Sequence, residues 1–158
     1  MTDIQLNSLY QQLILEHYRK PRNRGVLEDR TVEVHMRNPA CGDEIRLQLK
    51  IEDGVIRDLR FLGEGCSISQ ASTSMMTTIL KDRSLEEAIA LTRRFTQMMH
   101  GDRAAARDRA LKDLRALKGV AKFPIRVKCA LLGFDALQEA VRQTRSERGG
   151  TASAEAGG

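Results

Sequence analysis

The chain has 158 residues, 41% hydrophobic and only 4% aromatic, with no Trp, and its 26 Lys and Arg outnumber 21 Asp and Glu for a net charge of +5. That is enough chain for one domain with a real core, and no apolar run approaches the roughly 20 residues of a membrane helix. The basic residues are spread out and interleaved with acids, as in GDRAAARDRALKDLRALKG, with no aromatic platform, so we expect no nucleic-acid partner; they read as a solvated face or as docking for an acidic protein.

The start, MTDIQLNSLYQQ, lacks a basic stretch followed by a hydrophobic one, so no secretory signal is visible and a cytoplasmic location is expected. Leu6, Leu9, Tyr10, Leu13, Ile14, His17 and Tyr18 recur at helical spacing, predicting an amphipathic helix ended by Pro21. His17 lies on its apolar stripe and reads as a packed histidine. Two period-2 segments follow, Val32–Val34–Met36 and Ile45–Leu47–Leu49–Ile51, with His35 on the polar face of the first. The EDG turn at 52–54 leads into VIRDLRFLG as a third strand.

From Ser67 the period becomes helical, with Ile68, Ala71, Met75, Met76, Ile79 and Leu80 inward; methionines so spaced belong to a core. SLEE at 84–87 is a capping box for the next helix, which carries Leu85, Ala88, Ile89, Phe95 and Met99 inward and is stopped by Gly101. Residues 102–118 read as a charged helix with Leu111, Leu114 and Leu117 on one side and Gly119 after it. Pro124 opens a last helix burying Val127, Leu131, Phe134, Leu137 and Val141, with Cys129 on its opposite face. The fold class is therefore α+β: a small three-stranded antiparallel sheet packed against about five helices. One domain is expected over 1–144, and SERGGTASAEAGG, within 145–158, has little to bury and is expected to be a disordered tail.

Three cysteines in such a chain do not make a disulfide framework; core packing, metal binding or nucleophilic chemistry remain. Each sits near an element end. Cys41 lies in the turn between the first two strands, with Gly42 beside it and Asp43 two residues on. Cys66 follows GEG at a helix N-terminus, and Cys129 is near the start of the last helix, places where the helix dipole favours thiolate. Three thiolates and one carboxylate, Cys41, Asp43, Cys66 and Cys129, form the tetrahedral complement of zinc, and a cation would stabilise the Cys41 thiolate beside the Asp43 carboxylate.

LYQQLILEHYRKPRNRG, NPACGDEIRL, FLGEGCSISQASTSMM and FPIRVKCALLGFDAL resemble successive signatures of the IscU/NifU-like iron–sulfur cluster assembly family, over about residues 5–143. Scaffold members typically place a histidine before the third cysteine, where this chain has Lys128, and FPIRV does not match their Leu-Pro-Pro-Val-Lys chaperone motif. The 62 residues between Cys66 and Cys129, with RVKC, are similar to the SufU branch, a zinc-dependent sulfurtransferase type. The resemblance implies a Zn²⁺ held by Cys41, Asp43, Cys66 and Cys129. It implies a PLP-dependent cysteine desulfurase of the SufS type as partner, whose histidine replaces Cys41 on the metal. Cys41 then takes the persulfide sulfur, stimulating the desulfurase, and the sulfur passes to a downstream iron–sulfur assembly scaffold. Arg126 and Lys128 are candidate auxiliaries that lower the thiolate pKa or orient the persulfide, with plain surface charge as the other reading. A second reading is a scaffold building a [2Fe–2S] cluster on the same four residues. A third is a structural zinc domain that only docks partners, against which an exposed Asp43 would count.

Overall fold

In the computed structural model, which describes residues 3–148, three strands follow one helix and precede the rest. Helix α1 spans Asp3–Arg19. Strands β1 (Val32–Asn38), β2 (Asp43–Glu52) and β3 (Val55–Glu64) form an antiparallel sheet in the order β1-β2-β3. Helices α2 (Ser67–Leu80), α3 (Leu85–Met99) and α4 (Arg103–Ala106) follow, then a 3-10 segment (Arg109–Lys122) and α5 (Pro124–Arg148). Among the described residues no helix is long and apolar enough to cross a membrane.

Alternation sets the sheet. Val34 pairs with Leu47, and Leu47 with Phe61, so the inward positions of all three strands stack into one buried layer. Asp53 and Gly54 turn β2 into β3 with φ of 53° and 75°, the pair of positive values that a two-residue hairpin turn requires. The outer face is charged: Glu33 pairs with Arg46, and Glu44 with Arg37 and the exposed His35.

Helices α2 and α5 cover the inner face, α5 against β1 and β2 and α2 against β3. Helix α2 is buried almost all round, and its small hydroxyl residues let neighbours approach closely while bonding internally, as Thr73 does to the Ser69 carbonyl at 2.9 Å; Ser72 instead donates to the Ala130 carbonyl of α5 at 2.7 Å. Met75 and Met76 are core residues, and Phe95 of α3 stacks on Phe134 of α5 with ring centroids 4.6 Å apart. The Ser84–Glu87 capping box at α3 forms in both directions. His17, 1% exposed, ties three elements: its Nδ1 is 2.7 Å from Ser74 Oγ on α2 and its Nε2 is 2.9 Å from Asp113 of the 3-10 segment. The Asp113 carboxylate can only accept, so Nε2–H donates to it, and Ser74 Oγ also accepts the Arg22 N–H at 2.8 Å.

Three expectations are corrected. The stretch 102–118 is not one helix, and Gly119 does not end it. Asp102 caps the short α4 by accepting the Ala105 N–H, and Asp108 restarts the chain by accepting the Ala110 N–H, two local bonds that compete with a continuous helix. The 3-10 stretch is broken at Lys112, φ 47° and ψ −124°; beyond the break Leu114 and Leu117 are buried one 3-10 turn apart, and Leu111, just before it, is buried with them. In α5, Cys129 is buried, whereas Val127 and Leu131 are only half-buried, because the helix is wedged between the sheet, α2, α3 and the 3-10 segment and has no single inner face. Finally, α5 continues through residues 145–148, with Arg145 bonded to Glu86 of α3 at 3.0 Å, so the proposed tail does not begin at 145; the rest of it, 149–158, lies outside the described residues.

Candidate metal centre

At one end of the sheet, three chain segments meet. The turn before β2 is organised by Asn38, whose side chain accepts the Ala40 N–H and whose carbonyl accepts the Gly42 N–H at 2.9 Å. This leaves Cys41 exposed at the tip. Asp43, the first residue of β2, is 1% exposed. Beside it, β3 ends and Gly65 leads into Cys66, which occupies the N-cap of α2 with φ −72° and ψ 163° and makes no capping bond with its own side chain. The third segment is α5, whose second turn brings Cys129 beneath Cys41.

The distances are those of a shared centre. Cys41 Sγ lies 3.0 Å from Asp43 Oδ2 and 3.7 Å from Cys129 Sγ, and Cys66 Sγ lies 3.4 Å from Asp43 Oδ2. One ligand atom each from Cys41, Asp43 and Cys129 falls within a 4.8 Å span, whereas Cys66 stands outside that group and meets it only at the Asp43 carboxylate. Two thiolates about 2.3 Å from one tetrahedral ion stand about 3.8 Å apart, so the Cys41–Cys129 separation already suits zinc. A carboxylate this buried needs a positive partner or hydrogen bonds to stay charged. Burial pushes the Asp43 pKa up, but the Cys41 thiol, the Cys66 backbone N–H at 2.8 Å and the other two thiols outweigh it and hold the group below its ordinary value. Cys129 goes the other way: burial foremost, then Asp43 and Cys41 alongside, raises its pKa well above that of a free thiol. The helix dipole therefore does not govern Cys129, contrary to expectation. A cation among these groups would hold the sulfurs as thiolates against that burial, and the donor set fits zinc.

Gly65 was not singled out from the sequence, although the GEG run was its signal. With φ +142°, its Cα abuts Asp43 so closely that a Cβ would lie 2.1 Å from Asp43 Oδ1. Only glycine lets the carboxylate stand where it does. Arg126 and Lys128 are exposed on the first turns of α5. They flank the cluster, and no bond between either and the four site residues is formed. Asp43 is not the exposed member of the set, so its accessibility does not count against a closed structural site. Cys41 is the exposed member of the set.

Residues 9–149 match the model of the NifU-like N terminal domain. Over 92% of this chain and 95% of the relative's length, the sequence is 47% identical to the zinc-dependent sulfurtransferase SufU of Bacillus subtilis strain 168. It is 42% identical to the iron–sulfur cluster assembly scaffold protein IscU of Streptococcus pyogenes serotype M1, covering 88% of this chain and 86% of that protein. The crystal structure of a NifU-like protein (N-terminal) from Brucella abortus superposes with a TM-score of 0.81 at 24% identity, covering 89% of this chain and 97% of that one, a likeness of fold.

Proposed function

The chain belongs to the NifU-like N-terminal domain family, and from that premise we propose that it is a zinc-dependent sulfurtransferase of iron–sulfur cluster biogenesis, accepting sulfur from the persulfide of a SufS-type cysteine desulfurase. The observation that carries the reading is the asymmetry of the site: Asp43 and Cys129 are buried while Cys41 is exposed at the tip of a turn. Asp43, Cys66, Cys129 and Cys41 would hold Zn²⁺. Bound there, the ion would keep the sulfurs deprotonated in a pocket that otherwise favours the thiol.

The chemistry at Cys41 is a thiol–disulfide-type exchange. Its thiolate attacks the outer sulfur of the donor's persulfide, the donor S–S bond breaks, the donor cysteine leaves as thiolate, and Cys41 carries the persulfide. No electrons are gained or lost overall. The Asn38-ordered turn can shift Cys41 outward without moving α2 or α5, which anchor Cys66 and Cys129. Removal of the donor's sulfur accelerates its next turnover, which makes this chain an activator of the desulfurase and a relay toward a downstream scaffold. The work is assigned to one domain over residues 1–144, extended to the end of α5.

The scaffold alternative would place two irons and two sulfides on the same four residues, and the 4.8 Å span of the Cys41, Asp43 and Cys129 ligand atoms is of the size that one ion bridges. Desulfurase turnover with L-cysteine, with and without the zinc-loaded chain, decides between them. We expect a large, saturable stimulation, absent in Cys41→Ala, with persulfide on Cys41 detected by mass spectrometry. No stimulation, with a [2Fe–2S] spectrum developing on the chain when iron and sulfide are supplied, would establish the scaffold instead.

A further inference from the structure

Beside the metal centre lies a cleft of about 570 Å³ between α1, the start of α2, the end of the 3-10 segment and the start of α5. Its walls are apolar and aromatic, with Tyr10, Ile14 and Ile68 among them, and its charged lining is Lys118, Lys122 and Arg126, with no carboxylate. Lys118 Nζ sits 5.6 Å from the centroid of the Tyr10 ring. Among the described residues none of these three cations, nor the neighbouring Lys128, forms an ion pair, although ten other Lys and Arg residues do. Phe123, which lines the cleft, is 60% exposed, and Ile125, on the other side of Pro124 in the sequence, is 73% exposed. Ile125 stands one helical turn before Cys129, whose Sγ donates to its backbone carbonyl at 3.7 Å.

We propose that this cleft and the Phe123–Ile125 tip receive an acidic segment with an apolar anchor, belonging to the protein that delivers the persulfide. The inference rests on the functional reading above and adds to it the place and chemistry of docking. Three unneutralised cations around an apolar trough select carboxylates flanking a hydrophobic side chain. Position selects the deliverer: Ser67 and Ile68 of the cleft follow Cys66, and Arg126 precedes Cys129 by three residues, so a protein reaching Cys41 from this side covers the trough as well. The apolar walls and protruding Phe123 and Ile125 favour a protein over a nucleic acid, whose binding would use exposed cations alone.

The test uses the full zinc-loaded chain, its Lys118→Glu/Lys122→Glu double variant and, separately, Phe123→Ser. None of these changes a metal-binding residue. Two quantities are read for each: affinity for the cognate cysteine desulfurase by fluorescence anisotropy, without turnover, and the half-saturating concentration for stimulation of desulfurase turnover. We expect both to weaken about tenfold in the double variant, with zinc content and maximal stimulation retained, and expect the salt dependence of wild-type binding to be lost. Phe123→Ser weakens both without changing the salt dependence. Unchanged affinity in both variants overturns the docking proposal even where wild-type stimulation upholds the functional reading. Charge-dependent binding without any stimulation upholds the docking and removes the sulfurtransferase. Loss of affinity for the desulfurase that is matched by loss of zinc overturns the docking, since the effect is then structural.

Discussion

Asp43 is the residue on which the centre turns, because it alone touches both Cys41 and Cys66 while accepting a backbone N–H. Its position is set by an absence of side chain at Gly65. An alanine there brings a Cβ into the space of Asp43 Oδ1 and also strains a backbone at φ +142°. The carboxylate must rotate away, and the Asp43 Cα, which the new Cβ would meet at 2.9 Å, must give with it, so Asp43 leaves its place beside the sulfurs. We therefore predict that Gly65→Ala lowers zinc affinity by about 10–100-fold, the range seen when groups orienting metal ligands are removed, with a nearly unchanged circular dichroism spectrum. Competition against a chromophoric chelator measures it; wild-type affinity in the variant would mean that Asp43 does not hold the ion. Glycine at this position was visible in the sequence as part of GEG, but its role was not, because the Asp43 that it accommodates is 22 residues earlier and meets it only once β2 and β3 align.

Elements whose causes are local were legible. The Asp53–Gly54 turn, the Ser84–Glu87 box, the start of α2 after Cys66 and the packed His17 each follow from a few neighbouring residues. The stretch 102–118 reads as one helix because its leucines, three apart, fit α-helical spacing, and only the competing caps of Asp102 and Asp108 and the break at Lys112 distinguish it. Burial of Cys129 was illegible for a different reason: it depends on α5 being enclosed on several sides, which no periodicity along α5 reveals. Asp108 shows what the caps contribute. Its carboxylate is held below the ordinary aspartate pKa first by the Ala110 N–H and then by Arg94, whose Nε is 2.8 Å away. A depressed folded-state pKa gives stability that is complete above the unfolded value, about 4, and is lost as pH falls through the folded one. Asp108→Ala should thus be less stable than wild type by about 1 kcal/mol near neutrality, as for other helix caps. The gap should close in melts taken progressively below about pH 4. A gap that persisted into strong acid would assign the effect to packing instead of charge.

For the whole molecule, the candidate metal site lies at one end of a layered core, where the turn before β2, the start of α2 and the start of α5 come together. The buried layer of Leu47, Phe61, Phe95 and Phe134 is complete without it. The turn carrying Cys41, the start of β2, the N-terminus of α2 and the first turns of α5 converge on a buried carboxylate that accepts from the neighbouring thiols, while burial keeps the Cys129 sulfur protonated, so a cation entering there would displace that proton and tie the segments together. Binding to the folded state alone stabilises by mass action, about 4 kcal/mol when zinc is at about a thousand times its Kd. For a domain of this size each kcal/mol moves the melting temperature by about 2–4 °C, so stripping the zinc with a chelator should lower it by about ten degrees. The loss should also be local. Hydrogen exchange should accelerate at residues 39–43, 65–69 and 124–130 while amides of the β2–β3 ladder keep their protection. An unshifted melting temperature would mean that the four residues bind no ion in the folded chain. Uniform acceleration throughout the sheet would mean that the ion supports the whole fold, which is the behaviour of a structural zinc domain and not of a site whose exposed cysteine is available for exchange.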